Sequence, residues 1–395
     1  MKHTITLVAW ALTMLVATAC SSVKKESLTE DAFALIPFVD GVENVKEMKL
    51  SDIAEKVTLL RLETTDSSLV AKPKLNAVSM LDDRIYIPCT IGLLSFSDDG
   101  KFMGSISRRG QGPGEYPGLR HVATDETTGH IYLMDHGKVM TFTTDGGFVR
   151  ENRMPFAWQF SAMQDSIFVS FIYNNTGKKE DRLLLTNSKA DTLRRFSQPD
   201  KFEFPGGMNW IYVNGKECFL YNHKGDVCFR DYYCDTLYTV SVDSLSPRFV
   251  LQMGKYALPK DFRLEPKMMT PESEQALEKA KEYLRPTIYE SDRFLIMPYT
   301  TWNLMDEEYV PQLVVYDKNL QTCVRAKDGI LKNDMYGTLP FYPLARIAEN
   351  VLLAYWEAAD LLEKAETDPS LLDSKELKGL KEDDNPVLML VYLKK

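Results

Sequence analysis

The feature that most constrains the fold is an internal repeat at an offset of 46 residues. The segment 85–87 (IYI) returns as 131–133 (IYL), and the segment 96–102 (FSDDGKF) returns as 142–148 (FTTDGGF). Each copy consists of short apolar runs separated by Asp-Gly or Gly-Gly pairs, which supply the positive φ angles of tight hairpins. A period of about 40–50 residues with several short strands per copy is typical of a β-propeller.

Four weaker copies of the same strand pattern follow the first two. They are the paired segments 166–169 and 182–186, 210–213 and 235–240, 294–297 and 313–317, and 351–355 and 387–392. One further strand, Val57–Glu63, precedes the first copy, and we expect it to complete the last blade and so remove an exposed sheet edge. The sequence therefore predicts an all-β fold, a six-bladed β-propeller over residues 45–395.

Two short helical insertions interrupt the β pattern. The first is predicted from Thr270 to Leu284, because Thr, Pro and Glu occupy the positions they favour at a helix start. The second is an acidic, Leu-rich segment from Trp356 to Leu380, with a break at Asp368-Pro369. Both should lie on the propeller surface, either as loop elaborations or as part of a surface for a ligand or partner.

The N-terminus is typical of a targeting signal. Residues 1–19 begin with a short polar segment, and the apolar stretch that follows is shorter than the ~20 residues that a membrane-spanning helix needs. Small residues then precede Cys20. This resembles a bacterial lipoprotein signal that is cleaved before Cys20, whose thiol and amino group then carry lipid. The alternative is an ordinary secretory signal. Residues 20–44 are predicted to be a tether, and the protein is expected to be anchored in the cell envelope, with its outer membrane preferred.

Charge and cysteine content limit the classes of function. The formal net charge of −9 disfavours nucleic acid as a partner, because such binding needs a basic surface. Export would place the cysteines in an oxidising compartment. Two interpretations of the cysteines after Cys20 remain open. A hairpin over 218–228 could join two of them in a disulfide, or all of them could be small, buried, apolar residues. The cysteines after Cys20 are Cys89, Cys218, Cys228, Cys234 and Cys323.

A glycine-rich loop is the candidate ligand-binding segment. Residues 110–116 hold three glycines and one proline, and Arg108, Arg109, Glu115 and Tyr116 lie in or beside this run. Backbone amides and arginines together suit an anion such as a carboxylate or an acidic sugar. The alternative is a structural crossover between two blades, in which the arginines and Glu115 pair with each other or with the backbone. No strand–loop–helix context or Gly-Lys-Ser/Thr sequence indicates a P-loop.

No catalytic or metal-binding constellation emerges from the remaining polar residues. His121, His130 and His136 cluster with Asp125 and Asp135, but they fall on different strands and turns. Surface or turn histidines are therefore the preferred interpretation, and we predict no metal, no cofactor and no catalytic residue. The nucleophile-elbow sequence of the α/β-hydrolases is absent.

Three segments resemble a known family. They are 108–116 (RRGQGPGEY), 61–65 (RLETT) and 382–388 (EDDNPVL). They are similar to the signatures of six-bladed β-propeller lipoproteins of Bacteroidetes, a group related in fold to NHL-repeat propellers. The resemblance covers about residues 45–395. It implies the propeller fold and a cell-envelope location, and it implies no established enzyme activity.

Three functions remain open. The preferred one is a non-catalytic envelope lipoprotein whose propeller binds a ligand or a protein partner. The second is a hydrolase or lyase that acts on glycans or peptides at the propeller channel. The third is an accessory subunit of an outer-membrane complex. The abundant aromatic residues suit either packing between blades or stacking on sugar rings.

Overall fold

The computed structural model describes most of the chain beyond residue 32. The described residues are 33–135, 137–154, 157, 159–163, 167–203, 218–260, 262 and 271–395. The predicted signal peptide, Cys20, the start of the tether, His136, Thr270 and the expected strand at 210–213 lie outside them. Within these ranges no helix has the length and apolar character needed to cross a membrane.

The N-terminal segment is part of the folded body. Its elements are β1 (Ala34–Ile36), α1 (Phe38–Glu43), β2 (Val45–Lys46), α2 (Leu50–Ile53) and β3 (Ala54–Arg61). The side chains of Ile36, Phe38 and Val42 are buried. The compact unit accordingly begins at Phe33, and the expectation of a tether extending to residue 44 is wrong in its last part, because these apolar side chains pack against the propeller.

Blades 1 to 3 are sheets of four antiparallel strands. Blade 1 contains β4 (Ser79–Leu81), β5 (Arg84–Cys89), β6 (Gly92–Ser97) and β7 (Phe102–Ile106). Blade 2 contains β8 (His121–Asp125), β9 (His130–Asp135), β10 (Lys138–Thr143) and β11 (Phe148–Arg153). Blade 3 contains β12 (Gln159–Met163), β13 (Ile167–Phe171), β14 (Asp181–Thr186) and β15 (Thr192–Ser197).

Blades 4 to 6 incorporate the N-terminal strands. Blade 4 contains β16 (Cys218–His223), β17 (Asp226–Asp231), β18 (Thr236–Val240) and β19 (Leu245–Leu251), with β1 parallel to β19. Blade 5 contains β20 (Leu284–Pro286), β21 (Tyr289–Glu290), β22 (Phe294–Thr301), β23 (Gln312–Asp317) and β24 (Thr322–Ala326), with β2 parallel to β24. Blade 6 contains β25 (Ala345–Ala348), β26 (Val351–Trp356) and β27 (Val387–Leu393), with β3 as its outer strand.

The ring closes as the sequence predicts. The N-terminal strand β3 pairs with the C-terminal strand β27 in an antiparallel ladder that runs from Arg61 opposite Val387 to Ala54 opposite Leu393. The repeated turn of blade 1 contacts this closing strand. Gly100 has a φ of +86°, and a Cβ there would lie 2.3 Å from the carbonyl oxygen of Arg61. The all-β, six-bladed prediction is therefore confirmed, and its closure has a specific requirement for glycine.

Both predicted helical insertions are present, but they are shorter than expected. Helix α3 (Pro271–Ala280) ends before Leu284, because that residue already begins β20. Helix α4 (Ala358–Thr367) lies between β26 and β27 and buries Leu361. The predicted break at Asp368-Pro369 is confirmed, since two short 3₁₀ turns follow it.

The five described cysteines are free thiols, of which Cys234 alone is partly exposed. The predicted hairpin over 218–228 exists as β16 and β17. Its register places Cys218 opposite Asp231 and Cys228 opposite Tyr221. The two thiols are therefore displaced along the hairpin, which explains why these strands do not join them in a disulfide.

Candidate functional site

A central channel with a cavity volume of about 340 Å³ is lined by residues from all six blades. Hydroxyl, amide and guanidinium groups provide its polar lining, and these belong to Ser79, Thr124, Gln159, Ser161, Asn222 and Arg346. Two partly exposed aromatic rings, Tyr221 and Tyr289, also line it, and behind them the buried rings of Phe160, Phe219 and Tyr232 belong to the core between the blades. A concave volume of this size is enough for a small molecule, and its predominantly polar lining suits a ligand that is itself polar.

Charged residues collect at one end of this channel because of the strand order. The first strand of a blade lies against the channel and runs toward the hairpin turn that follows it, so the turns of different blades meet at one end. Glu126 follows β8, His223 ends β16 and precedes Lys224, Asp292 follows β21, and Glu349 follows β25. We call these five residues the hairpin rim. A second cavity, of about 430 Å³, shares Glu126 and Glu349 with the channel.

Beside the rim, Glu290 is a fully buried carboxylate held by three donors. Its Oε1 accepts hydrogen bonds from Nη2 of Arg248 and from Nζ of Lys318, both at 2.8 Å, and its Oε2 accepts one from Tyr221 at 2.8 Å. Burial alone would raise the pKa of Glu290, but hydrogen bonding to Arg248 and the charge of Lys318 lower it to about 2. Since Arg248 and Tyr221 belong to blade 4, this ionised carboxylate connects blades 4 and 5.

His223 joins that buried carboxylate to the rim. Its side chain is 2% exposed, with Nε2 3.5 Å from Oε1 of Glu290 and Nδ1 2.6 Å from Oε1 of Glu349. Glu349 also accepts the backbone N–H of Lys224 at 3.1 Å, and Nη2 of Arg346 lies 3.4 Å from its other oxygen. Burial opposes ionisation of Glu349, but His223 and Arg346 lower its pKa below the ordinary value. Glu349 is therefore ionised at neutral pH.

The other two carboxylates of the rim have contrasting environments. Asp292 lies 3.0 Å from the ammonium group of Lys224 and accepts a hydrogen bond from Nδ2 of Asn350 at 3.2 Å. Burial raises its pKa, but these donors lower it overall. Burial and the nearby charge of Glu349 instead raise the pKa of Glu126. The rim thus combines ionised carboxylates with one carboxyl group that holds its proton more tightly.

The glycine-rich loop predicted as a ligand site is internally hydrogen-bonded. Glu115 accepts hydrogen bonds from Nε of Arg108 at 2.5 Å and from the backbone N–H of Gly112 at 2.9 Å. These two contacts, that of Gly112 first, lower the pKa of Glu115. Nε of Arg109 donates to the carbonyl of Pro117 at 3.1 Å. The structural alternative therefore accounts for every charged group of the loop.

Tyr116 anchors the loop to blade 1. Its side chain is buried, and its hydroxyl accepts the backbone N–H of Leu93 at 3.1 Å. Gly114 has a φ of +73°, and a Cβ there would lie 3.0 Å from the ring of Phe148 in blade 2. The loop therefore connects blades 1 and 2. An additional role for Arg108, Arg109, Glu115 and Tyr116 in binding an acidic ligand stays a prediction.

The described histidines of blade 2 are not brought together. The register of β8 and β9 places His121 opposite Met134 and Asp125 opposite His130, so the two histidines lie at opposite ends of the strand pair. Asp125 accepts hydrogen bonds from Thr127 and Thr128 of its own turn. The group with metal-ligand spacing that the described residues contain is elsewhere, at His223, Asp292 and Glu349. The sequence does not predict it, because His223 lies within the hairpin expected over 218–228 and no local motif joins it to Asp292 or Glu349.

Comparison with known proteins identifies a family and a fold. A family model described as a domain of unknown function, DUF4934, matches residues 33–392. No curated protein matches the sequence.

Among solved structures, the chain is similar to a Bacteroides fragilis NCTC 9343 protein that is described as exported. The TM-score is 0.70 at 21% identity, and the match covers 92% of this chain and 100% of that one. A Bacteroides caccae protein of unknown function gives a TM-score of 0.37 at 10% identity, over 64% of this chain and 81% of that one. The Pan2 WD40 domain of Neurospora crassa gives 0.41 at 10% identity, over 89% and 98% of the two chains. Of these comparisons, that with the Bacteroides fragilis protein supports the fold, and at 21% identity it supports the fold alone.

Proposed function

We propose that this chain, which belongs to the DUF4934 family, is a non-catalytic cell-envelope lipoprotein that binds a small hydroxylated ligand in its propeller channel. The observation that carries the proposal is the 340 Å³ channel, which is lined by all six blades and reaches the hairpin rim. Loops and turns positioned by a rigid scaffold are a common location for binding residues.

The lining of the channel indicates the chemistry of the ligand. Amide and hydroxyl side chains such as Gln159 and Ser161 exchange hydrogen bonds with hydroxyl groups, and the partly exposed rings of Tyr221 and Tyr289 offer apolar faces. A sugar presents both hydroxyl groups and an apolar face. We therefore assign the ligand to the class of mono- or disaccharides, with Glu126 accepting a hydroxyl hydrogen at the rim.

The test is a thermal melt of the full chain against a panel of neutral and acidic mono- and disaccharides. A binder at a hundred-fold excess over its Kd adds about 2.7 kcal/mol of stability, which corresponds to a rise of about 3–4 °C for a domain of this size. The Glu126→Gln variant should lose most of that rise. The Asp98→Asn variant, a matched change at an exposed turn of blade 1, should keep it. A panel without any stabilising sugar contradicts the proposal.

The envelope location has its own test. The sequence before Cys20 supports lipid attachment, and the description of the similar Bacteroides fragilis protein as exported supports a location outside the cytoplasm. In bacterial cells, Cys20→Ser should abolish acylation and move the protein from the membrane fraction to a soluble one. Retention of this variant in the membrane, together with a wild type that carries no lipid, contradicts the assignment.

A second candidate function, a hydrolase or lyase acting on glycans, is favoured by one observation. Glu126 and Glu349 both line the channel, and their pKa values move in opposite directions. Such a pair provides one proton donor and one ionised base. Turnover of a glycan panel by wild type that is lost in both Glu126→Gln and Glu349→Gln, and kept in Asp98→Asn, would select this function over simple binding.

A further inference from the structure

We propose that the hairpin rim binds one divalent first-row metal ion through His223, Asp292 and Glu349. These residues belong to three different blades, yet each offers one ligand atom, and the three atoms lie within 4.8 Å of one another. An ion at this position would connect blades 4, 5 and 6 at the channel end. The inference goes beyond the proposed function, since it requires no organic ligand.

The donor set selects the class of metal. Imidazole nitrogen suits Zn²⁺ and similar transition ions, whereas carboxylate oxygen suits Mg²⁺, Ca²⁺ and Mn²⁺. One imidazole with two carboxylates therefore favours Zn²⁺ or Mn²⁺ over the purely oxygen-seeking ions. Three protein donors leave a coordination position open, as in zinc sites that also bind water or substrate.

A second observation, independent of the spacing, points to a bound cation. His223 is 98% buried, and although Oε1 of Glu349 lies 2.6 Å from its Nδ1, the two groups are not aligned for a hydrogen bond. A buried polar atom without a hydrogen bond is destabilising and needs an explanation. A metal ion coordinated by Nδ1 of the neutral imidazole and by Oε1 would satisfy both atoms at once, because each would donate a lone pair to it.

The charged groups around the rim determine how strongly a metal ion must compete for the carboxylates. Arg248 and Lys318 already neutralise Glu290. The cations that remain beside the other two carboxylates are therefore Lys224 at Asp292 and Arg346, whose Nη2 lies 3.4 Å from Oε2 of Glu349. The cation nearest to Asp292 is the ammonium group of Lys224, at 3.0 Å. The side chain of Lys224 is 61% exposed, so it can move into solvent when a metal ion arrives. Lys224 and the metal ion therefore compete for the carboxylate of Asp292.

This competition predicts that removing a ligand weakens metal binding, whereas removing Lys224 strengthens it. Metal is removed from the full chain with a chelator, and ZnCl₂ and MnCl₂ are each titrated by calorimetry. The wild type should bind one equivalent. The variants Asp292→Asn and Glu349→Gln should bind at least ten-fold more weakly, because each loses a ligand. Lys224→Gln should bind about five-fold more tightly, since one positive charge at about 4 Å in water is removed.

Matched controls separate a built site from general surface binding. Asp98→Asn and Lys101→Gln make the same chemical changes at an exposed turn of blade 1, and they should bind metal like the wild type. Circular dichroism and melting curves establish that each variant is folded. If Glu349→Gln fails to fold, Asp292→Asn and Lys224→Gln still decide the outcome, because they alter turn residues with partly exposed or exposed side chains.

Three results would overturn the proposal: no saturable binding by the wild type, equal binding by Asp292→Asn, or weaker binding by Lys224→Gln. This experiment uses metal alone. A negative result therefore leaves saccharide binding in the channel untouched, and a sugar panel without binders leaves the metal site untouched.

Discussion

Glu290→Gln should be among the most destabilising single changes in the protein. The substitution keeps the shape of a side chain with no exposed surface, but it removes the charge that Arg248 and Lys318 surround. Both cations then remain in a poorly hydrated environment without their common partner. Breaking a buried ion pair by removing one member typically lowers the free energy of unfolding by about 3–5 kcal/mol.

That loss converts to a measurable shift in melting temperature. An unfolding entropy of about 2.1 cal/mol/K per residue gives roughly 0.8 kcal/mol/K for a domain of this length, so we expect a fall of about 4–7 °C. The assay is a thermal melt of wild type and variant, followed by circular dichroism at pH 7. Glu55→Gln, which removes an exposed carboxylate from β3, is the matched control and should shift the melt by less than about 1 °C.

A double variant tests whether the unpaired cations cause the loss of stability. If the loss arises from stranded cations, then removing Arg248 as well should restore part of the stability, so Arg248→Met/Glu290→Gln should lose less than the sum of the two single changes. A melt of Glu290→Gln within about 1 °C of wild type, or strictly additive single losses, would refute the role of this carboxylate in joining blades 4 and 5.

Three further predictions concern ring closure and the glycine-rich loop. A chain that begins at residue 33 should fold, whereas one that begins at residue 65 should aggregate, because it lacks the closing strand; a soluble, cooperatively melting product of the second kind contradicts this closure. Gly114→Val should lower the melting temperature by about 1–3 °C, since a φ of +73° strains a β-branched residue by roughly 1–2 kcal/mol and the ring of Phe148 is close. An unchanged melting temperature would contradict the structural role of Gly114. Because hydrogen bonding lowers the pKa of Glu115 in the fold, its contribution is present above the ordinary value of 4.5 and is lost as the pH falls below it; the stability gap between wild type and Glu115→Gln should therefore close in acid, and a gap of constant size would contradict the assignment.

The parts of the fold that were predictable are those encoded by local pattern. The 46-residue repeat corresponds to β5, β6 and their turns in blade 1 and to their equivalents in blade 2, and the strand left over before the first copy predicts the closing strand. Strands β1 and β2 were not predictable in this way. Each has two or three residues, and each pairs in parallel with an outer strand more than 200 positions away.

The candidate site was not predictable for a different reason. His223, Asp292 and Glu349 are separated by 57 to 126 positions and share no local motif. Each simply follows or ends a short strand, where charged residues are common. They become neighbours only because the ring brings equivalent turns to one end of the channel. By contrast, the glycine-rich loop is conspicuous in sequence, but the structure explains its glycines and charges by the crossover between blades 1 and 2.

The most direct test of the proposed function asks whether the ligand binds at the hairpin rim of the channel or at the glycine-rich loop. The saccharide that most stabilises the wild type is titrated by calorimetry into Glu126→Gln, which alters the hairpin rim, and into Arg109→Ala, which alters the glycine-rich loop. The account predicts at least a ten-fold loss of affinity for Glu126→Gln and unchanged affinity for Arg109→Ala. Loss of affinity in Arg109→Ala with full binding by Glu126→Gln would contradict the claim that the channel is the binding site.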